Sequence, residues 1–244
     1  MSLTQETSPE ALLLDPSTLR EPIWVVAPHP DDESLGCGGL IARLAELNCE
    51  VWALLLSDGG ASHLASPTWP RKRLVEQRLS EWHAGLDMLG QHPQRRVALA
   101  LPDGALPQPQ QPGGAQAVEA VREALAAAPP RTVLLPWRRD PHPDHRAAHA
   151  LTRAALAAFG AVRVLEYTVW LGERAAPGDV PKPGEVQRWA VRVEDQTNRK
   201  EAAIRLHRSQ LGALIDDDPS GFVLPEAMIQ RALGDHEQLL EVRS

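Results

Sequence analysis

The sequence lacks an excess of positive charge, has few cysteines and contains no long apolar run. Its 244 residues carry a formal net charge of −7, so it has no basic field that would bind a nucleic-acid backbone. Its two cysteines, Cys37 and Cys49, are too few for a disulfide framework and are expected to be small buried thiols. No apolar stretch reaches the roughly 20 residues of a membrane span, and the polar residues 1–9 do not form a secretory signal. These absences favour a cytoplasmic protein and disfavour nucleic-acid binding.

Strand and helix patterns alternate along the chain. Apolar, β-branched runs predict strands over residues 23–27, 51–56, 97–101, 132–137, 162–169 and 186–193. Helical spacing of apolar residues predicts helices over residues 35–47, 70–89, 115–127, 145–159, 195–207 and 225–233. This alternation predicts an α/β fold, a Rossmann-like three-layer sandwich with a mostly parallel β-sheet. We expect a single domain over residues 21–244, preceded by a leader over residues 1–20.

Two clusters of imidazole and carboxylate side chains follow predicted strands. After strand 23–27 the chain carries His29, Asp31, Asp32 and Glu33. After strand 132–137 it carries His142, Asp144 and His145. The carboxyl ends of parallel strands share one edge of the sheet, where α/β proteins bind their ligands. We therefore expect the two clusters to meet at that edge.

The residue types in these clusters predict a catalytic metal site. Catalytic zinc takes three protein ligands from histidine and carboxylate side chains and keeps one position for water. His29, Asp32 and His145 can supply two imidazoles and one carboxylate. Asp31, next to a ligand, could then accept a proton from the activated water as a general base. Zinc is the expected ion, although this donor set also suits Fe²⁺ or Mn²⁺.

His142 and Asp144 complete the predicted chemistry. His142, as imidazolium, could donate a proton to the leaving amine or to a developing oxyanion, and Asp144 could fix its tautomer and keep it protonated. Each cluster alone has a simpler explanation, because acids and turns of this kind also cap helices. Two such clusters at matching strand ends favour a site.

The two clusters resemble the signatures of the LmbE/PIG-L family of zinc-dependent N-acetylglucosaminyl deacetylases. The family's first motif, (A)HPDDE followed by a glycine-rich turn, is matched by APHPDDE at residues 27–33 and by residues 35–39, and its HPDH motif appears as residues 142–145. The resemblance implies the same roles for the same side chains: zinc ligands His29, Asp32 and His145, general base Asp31, and His142 assisting at the transition state.

Weaker matches extend the resemblance along the chain. They comprise an R-x-x-E helix at residues 78–81, a loop after the third strand at residues 101–104, and a K…H-x-S-Q element at residues 200–210. The resemblance implies substrate-binding roles for Arg78, Asp103, Lys200 and His207. In isolation the same residues would be expected to form a surface ion pair, a turn or a helix end.

One position departs from the family pattern. Some relatives carry a tyrosine two residues before the first histidine of HPDH, whereas this chain carries Asp140. An ionised carboxylate only accepts hydrogen bonds and cannot stabilise an oxyanion. Either His142 supplies that stabilisation together with the metal, or Arg138 or Arg139, held by Asp140, reaches the substrate.

The sequence thus predicts a metal-dependent hydrolase that deacetylates an N-acetylglucosamine-type sugar or glycoconjugate through a zinc-activated water. The expected partner is a small amino-sugar substrate, with no nucleic acid and no membrane. Two alternatives stay open. One is an amidase for a non-sugar amide, such as a thiol-cofactor precursor or a secondary metabolite. The other is a non-catalytic sugar-binding protein with a structural metal.

Overall fold

The sheet of the described chain is built from eight strands, of which all but one run in the same direction. In the computed structural model, which describes residues 11–243, the strands are β1 (Leu12–Leu13), β2 (Ile23–Ala27), β3 (Val51–Ser57), β4 (Arg96–Leu101), β5 (Thr132–Pro136), β6 (Arg163–Tyr167), β7 (Val186–Arg192) and β8 (His236–Val242). Their order across the sheet is β1-β7-β8-β6-β5-β2-β3-β4. The reversed strand is β8, which pairs antiparallel with both β6 and β7. The predicted, mostly parallel α/β fold is confirmed.

Helices cover both faces of this sheet. They are α1 (Asp32–Glu46), α2 (Arg71–Met88), α3 (Gly114–Ala126), α4 (Pro143–Leu156), α5 (Leu171–Arg174), α6 (Thr197–Arg205) and α7 (Glu226–Ala232). Within residues 11–243 no helix is both long and apolar enough to cross a bilayer.

Strand β2 shows how the three layers pack. Trp24 and Val26 lie in the cluster that α3 and α4 cover, whereas Ile23 and Val25 lie in the cluster that α1 covers. Every residue of β2 is buried, because a central parallel strand faces helices on both sides. This explains its continuous apolar run.

The order of the strands brings the two clusters together. From β2 the chain proceeds through β3 to β4 on one side and then returns to add β5 on the other side of β2. The loops that follow β2 and β5 therefore leave the sheet side by side, at a topological switch point. Helix α1 begins after the first loop and α4 after the second, so each helix N-terminus carries one cluster.

Two stretches of the chain differ from the prediction. Of the predicted leader, residues 1–10 lie outside the described part of the chain, whereas residues 12 and 13 form β1 at the edge of the sheet. Strand β8 was not predicted, and it joins the β7 edge to the rest of the sheet. The two cysteines are free, and Cys37 is buried as expected, whereas Cys49 is only half-buried.

Candidate metal centre and substrate cavity

The three predicted metal ligands meet at one point. The Oδ2 atom of Asp32 lies 3.0 Å from Nδ1 of His29 and 3.2 Å from Nε2 of His145. All three side chains are buried at the carboxyl edge of the sheet. Asp32 is the first residue of α1, and His145 lies in the first turn of α4. The switch point between β2 and β5 thus brings a carboxylate and two imidazoles within reach of one cation.

The donor atoms fit a divalent metal. Nε2 of His145 is buried and makes no hydrogen bond within residues 11–243, although the Asp32 carboxylate is close to it. An imidazole lone pair that is buried and unpaired can ligate a cation, and two imidazoles with one carboxylate form a common catalytic set. Two other groups, neither of which includes Asp32, have ligand atoms that all lie within 4.8 Å of one another: His29, His142 and His145, and His29, Asp103 and Asp144.

The electrostatics of the cluster favour positive charge at its centre. Burial acts to lower the pKa of His145, but the neighbouring carboxylates of Asp32 and Asp140 raise it to about 9. Burial acts to raise the pKa of Asp32, but His145 and His29 hold it well below its usual range. Without a cation, protons on the imidazoles balance the buried carboxylate, and a metal ion would supply the same compensation.

The carboxylate of Asp144 contacts His29 and not the ring of His142, contrary to the prediction. Its Oδ2 lies 3.2 Å from Nε2 of His29, and its carboxylate also accepts the backbone N–H groups of Gly104 and Leu106 at 2.8 and 3.2 Å. The side chain turns toward the loop after β4 because those N–H groups need an acceptor. Asp144 therefore orients a proposed ligand and fastens the loop that carries Asp103.

His142 is held neutral, which corrects the prediction of an imidazolium. It is the N-cap of α4, and its Nδ1 accepts the backbone N–H of Asp144 at 3.2 Å. A protonated Nδ1 would face that N–H with another hydrogen, so the hydrogen resides on Nε2. Burial, assisted by the positive charges of His145 and His29, lowers the pKa of His142 to about 4.

Asp31 is fixed beside the predicted ligands by the buried guanidinium of Arg78. Nη2 of Arg78 lies 3.3 Å from Oδ2 of Asp31 and donates to the carbonyl of Pro30 at 3.0 Å, while Nη1 donates to Gly59 at 2.9 Å. Burial raises the pKa of Asp31 to about 7, against the opposing effect of Arg78. The backbone φ of Asp31 is 134°, a strained value of the kind that is concentrated at functional sites.

A cavity of about 300 Å³ opens over this cluster. One part of its wall is polar and is formed by Ser62, Arg78, Asp103, Gln210 and Ser220. The other part is apolar and is formed by Leu35, Val169, Trp170, Phe222 and Leu224. His29, Asp31, Asp32 and His142 lie between the two parts. Of the five predicted substrate-binding residues, Arg78 and Asp103 line this cavity.

The other three predicted substrate-binding residues point elsewhere. Arg139 binds Glu185 and lies over the Trp137 ring at 4.7 Å, because the loop after β5 sends it toward residues 178–185. Lys200 donates to Glu237 on β8 at 2.7 Å. His207 is buried behind the centre, 4.0 Å from Glu33. Arg138 also pairs with Glu185. Asp140 therefore holds neither Arg138 nor Arg139, contrary to the alternative that assigned one of them to the substrate.

Substitution of Lys200 tests whether this side chain stabilises the fold or binds the substrate. Replacing it with methionine should lower the free energy of unfolding by about 3 kcal/mol, because the Glu237 carboxylate would be left buried without its cation. The kinetic constants of the correctly folded fraction should stay the same, since Lys200 does not line the cavity. Denaturant unfolding and steady-state assays measure both, with the exposed Lys72→Met as a control that changes neither. A rise in KM without loss of stability would show instead that Lys200 contributes to substrate binding.

Several cavity residues carried no signal in the sequence. Ser220, Phe222 and Leu224 belong to a stretch between the short turn at Arg208–Gln210 and α7 that has neither strand nor helix periodicity. This stretch is fixed by contacts with residues distant in sequence, including the N–H of Phe222 donating to Ser62 at 2.8 Å. Gln210, in contrast, belonged to the matched K…H-x-S-Q element.

The fold and the site together define an α/β protein with a buried His/Asp centre of the kind that holds a catalytic divalent metal. The family model for PIG-L, described as GlcNAc-PI de-N-acetylase, matches residues 24–156, which include both clusters. The chain belongs to this family, whose deacetylases are metal-dependent. The C-terminal part of the cavity wall, from Val169 onward, lies outside the matched residues.

Relatives that align with this chain over most of their length support this assignment. A 1D-myo-inositol 2-acetamido-2-deoxy-alpha-D-glucopyranoside deacetylase from Mycobacteroides abscessus is 28% identical over 259 residues, 91% of each chain. The crystal structure of the conserved protein TT1542 from Thermus thermophilus is 26% identical, with a TM-score of 0.63 over 89% of this chain and 92% of that one. The A40926 pseudoaglycone deacetylase Dbv21 shares the fold, with a TM-score of 0.68 at 22% identity over 91% and 96% of the two chains.

Proposed function

We propose that this chain is a zinc-dependent N-deacetylase that removes the acetyl group from the 2-amino position of a glucosamine-type sugar. The observation that carries the proposal is the placement of Asp31 and His142 beside the three clustered residues His29, Asp32 and His145, at the base of one cavity. Family membership and the deacetylase relatives support the same reaction class.

The proposed mechanism assigns one task to each side chain. His29, Asp32 and His145 hold the metal, which when bound polarises the scissile carbonyl and makes water more acidic. Asp31 accepts the proton of the attacking water at its carboxylate and returns it to the leaving amine as the C–N bond breaks, while Arg78 keeps that carboxylate in place. Because Nδ1 of His142 is occupied by a backbone N–H, its Nε2–H is the group that donates to the oxygen as negative charge develops there.

The cavity suits a small polar ligand with one apolar face. Its volume is about 300 Å³, at the lower end of small-molecule sites. An amino sugar presents hydroxyl groups that Asp103, Ser62 and Gln210 can bind, and a face of C–H bonds that packs against Trp170. The name of the mycobacterial relative gives its substrate as an inositol-linked acetamido sugar, and we propose the same class of substrate for this chain.

A substrate panel tests the proposal. The zinc-loaded protein should release a free amine from N-acetylglucosamine glycosides, detected with an amine-reactive fluorophore, and should hydrolyse acetanilide or N-acetylcysteine at least tenfold more slowly. Faster cleavage of the non-sugar amides would favour the amidase alternative. Metal binding with no amine release from any compound would favour a non-catalytic protein.

Trp170 is expected to contribute to substrate affinity more than to the reaction itself. Trp170→Ala should raise KM for the sugar by about tenfold, since an aromatic contact of this kind contributes roughly 1.5 kcal/mol, while kcat changes by less than about threefold. The half-buried Trp189 on β7 lies away from the cavity, so Trp189→Ala serves as the matched control. An unchanged KM for Trp170→Ala would remove this residue from the substrate site.

A further inference from the structure

Asp140 is a buried carboxylate that contacts both histidines of the HPDH motif. It is fully buried in the loop between β5 and α4. Its Oδ1 lies 3.3 Å from Nδ1 of His145 and accepts the backbone N–H of His142 at 3.0 Å. Its Oδ2 accepts the backbone N–H of Trp170 at 3.1 Å. A single side chain therefore connects a proposed metal ligand, the proposed hydrogen-bond donor to the oxyanion and the apolar wall of the cavity.

The imidazole of His145 lies between two carboxylates. Asp32 faces its Nε2 at 3.2 Å and Asp140 faces its Nδ1 at 3.3 Å. Neither contact has the geometry of a hydrogen bond, so both act mainly through charge. The two ring nitrogens of His145 cannot both ligate one ion. The Asp32 carboxylate that faces Nε2 also contacts His29, the other proposed histidine ligand. Nε2 is consequently the nitrogen on the side of the proposed metal, and Nδ1 is the outer nitrogen.

His29 shows the same arrangement with the nitrogens exchanged. Its Nδ1 faces Asp32, and its Nε2 faces Asp144 at 3.2 Å and Asp103 at 3.3 Å. A carboxylate on the outer nitrogen of a ligating histidine fixes the ring, selects the tautomer and makes the imidazole a stronger donor to the metal. Each of the two proposed histidine ligands thus has a carboxylate at its outer nitrogen.

We propose that Asp140 is a positioning residue of the metal centre. It holds His145 as the Nδ1–H tautomer, which leaves the Nε2 lone pair for the ion, and it fixes the backbone of His142 and Trp170 around the same point. This role rests on the proposed function, because it presupposes a metal at the three clustered residues. It also gives a task to the carboxylate that stands where some family members carry tyrosine.

Asp140→Asn tests the proposal because it removes the charge and keeps the size. Zn²⁺ affinity is measured on the metal-free protein by competition with a chromophoric chelator, which needs no substrate. We expect the dissociation constant to rise by about 10- to 100-fold, the range found when partners of metal-binding histidines are changed. Replacing zinc with Co²⁺ should also show an altered visible spectrum, because the geometry around the ion changes.

Glu166→Gln is the matched control. Glu166 is also a buried carboxylate that contacts an imidazole, His149 at 3.1 Å, and accepts a backbone N–H, that of Arg138 at 3.1 Å. His149 is not among the proposed ligands, so Zn²⁺ affinity should stay within about twofold of wild type. A purely structural role for Asp140 predicts that both variants lose stability alike and that both keep their affinity for zinc, and that result would overturn the proposal.

A measurement on the unmodified protein covers the case in which Asp140→Asn does not fold. Imidazole nitrogen NMR of the zinc-bound protein, with the His145 signals assigned, should show a hydrogen on Nδ1 and the metal on Nε2. A hydrogen on Nε2 with the metal on Nδ1 would contradict the proposal. If the unmodified protein binds no zinc, the proposed function fails; if it binds zinc and Asp140→Asn binds it equally well, only the role of Asp140 fails.

Discussion

Asp31→Asn is expected to lower kcat by about a thousandfold, the middle of the range for a lost general base, while bound zinc stays at the wild-type stoichiometry. The amide has the size of the carboxylate and can still accept a hydrogen bond from Arg78, but it cannot take up the proton of the attacking water. Asparagine also tolerates the positive φ of this position better than most residues do. Steady-state kinetics and metal analysis of the purified variant provide the measurement.

Asp58→Asn is the control for this variant. Asp58 follows β3, pairs with Arg71 and lies outside the cavity lining. Asp58→Asn therefore removes an arginine-paired carboxylate near the sheet edge but keeps the proposed base. The kcat of this variant should stay within about threefold of wild type. Wild-type turnover by Asp31→Asn would remove Asp31 from the mechanism.

His145→Ala is expected to abolish both metal binding and activity. The substitution removes one of three proposed ligands and leaves the Asp32 and Asp140 carboxylates facing an empty space. Zinc content, measured by atomic emission after dialysis, should fall from about one ion per chain to background, and deacetylation should fall with it.

His149→Ala separates the loss of a ligand from the loss of a buried histidine. His149 lies one turn further along α4 and contacts Glu166, so this variant should retain zinc and activity. Full zinc occupancy in His145→Ala would mean that another grouping holds the ion, such as the one formed by His29, Asp103 and Asp144.

The central strands could be predicted closely from the sequence. β2 has the predicted bounds, and β3, β4 and β5 differ by one residue at one end. β2, β3 and β5 lie inside the sheet and are almost entirely buried, so their apolar runs are continuous and end where the chain leaves the sheet. β4 is an edge strand and is only partly buried. The predicted start of α1 was three residues late because its first turn is made of site residues, which show no apolar periodicity.

Strand β8 could not be predicted from the sequence. Its seven residues include only three apolar side chains, Leu239, Leu240 and Val242, and its strand geometry depends on pairing with β6 and β7. Pairing between strands that are distant in sequence is a tertiary contact, so the local sequence pattern does not indicate it.

The direction in which a side chain points was the other quantity that the sequence could not supply. Asp144 and Lys200 were assigned to the site on their positions in motifs. The Asp144 side chain contacts His29 across the switch point, and the Lys200 side chain contacts Glu237, 37 residues later on β8. His29, Asp32 and His145, in contrast, could be placed together because each stands at the end of a central strand or the start of the helix that follows it.

The cavity is assembled from two parts of the chain that are separate in sequence. The proposed catalytic groups lie on the loops that follow the central strands, whereas Trp170, Phe222 and Leu224 come from connecting segments beyond residue 156. We therefore expect exchange of those later segments between relatives to change substrate selectivity more than the reaction itself. Loop grafting at the C-terminal side is the natural route to re-target this scaffold toward other amides.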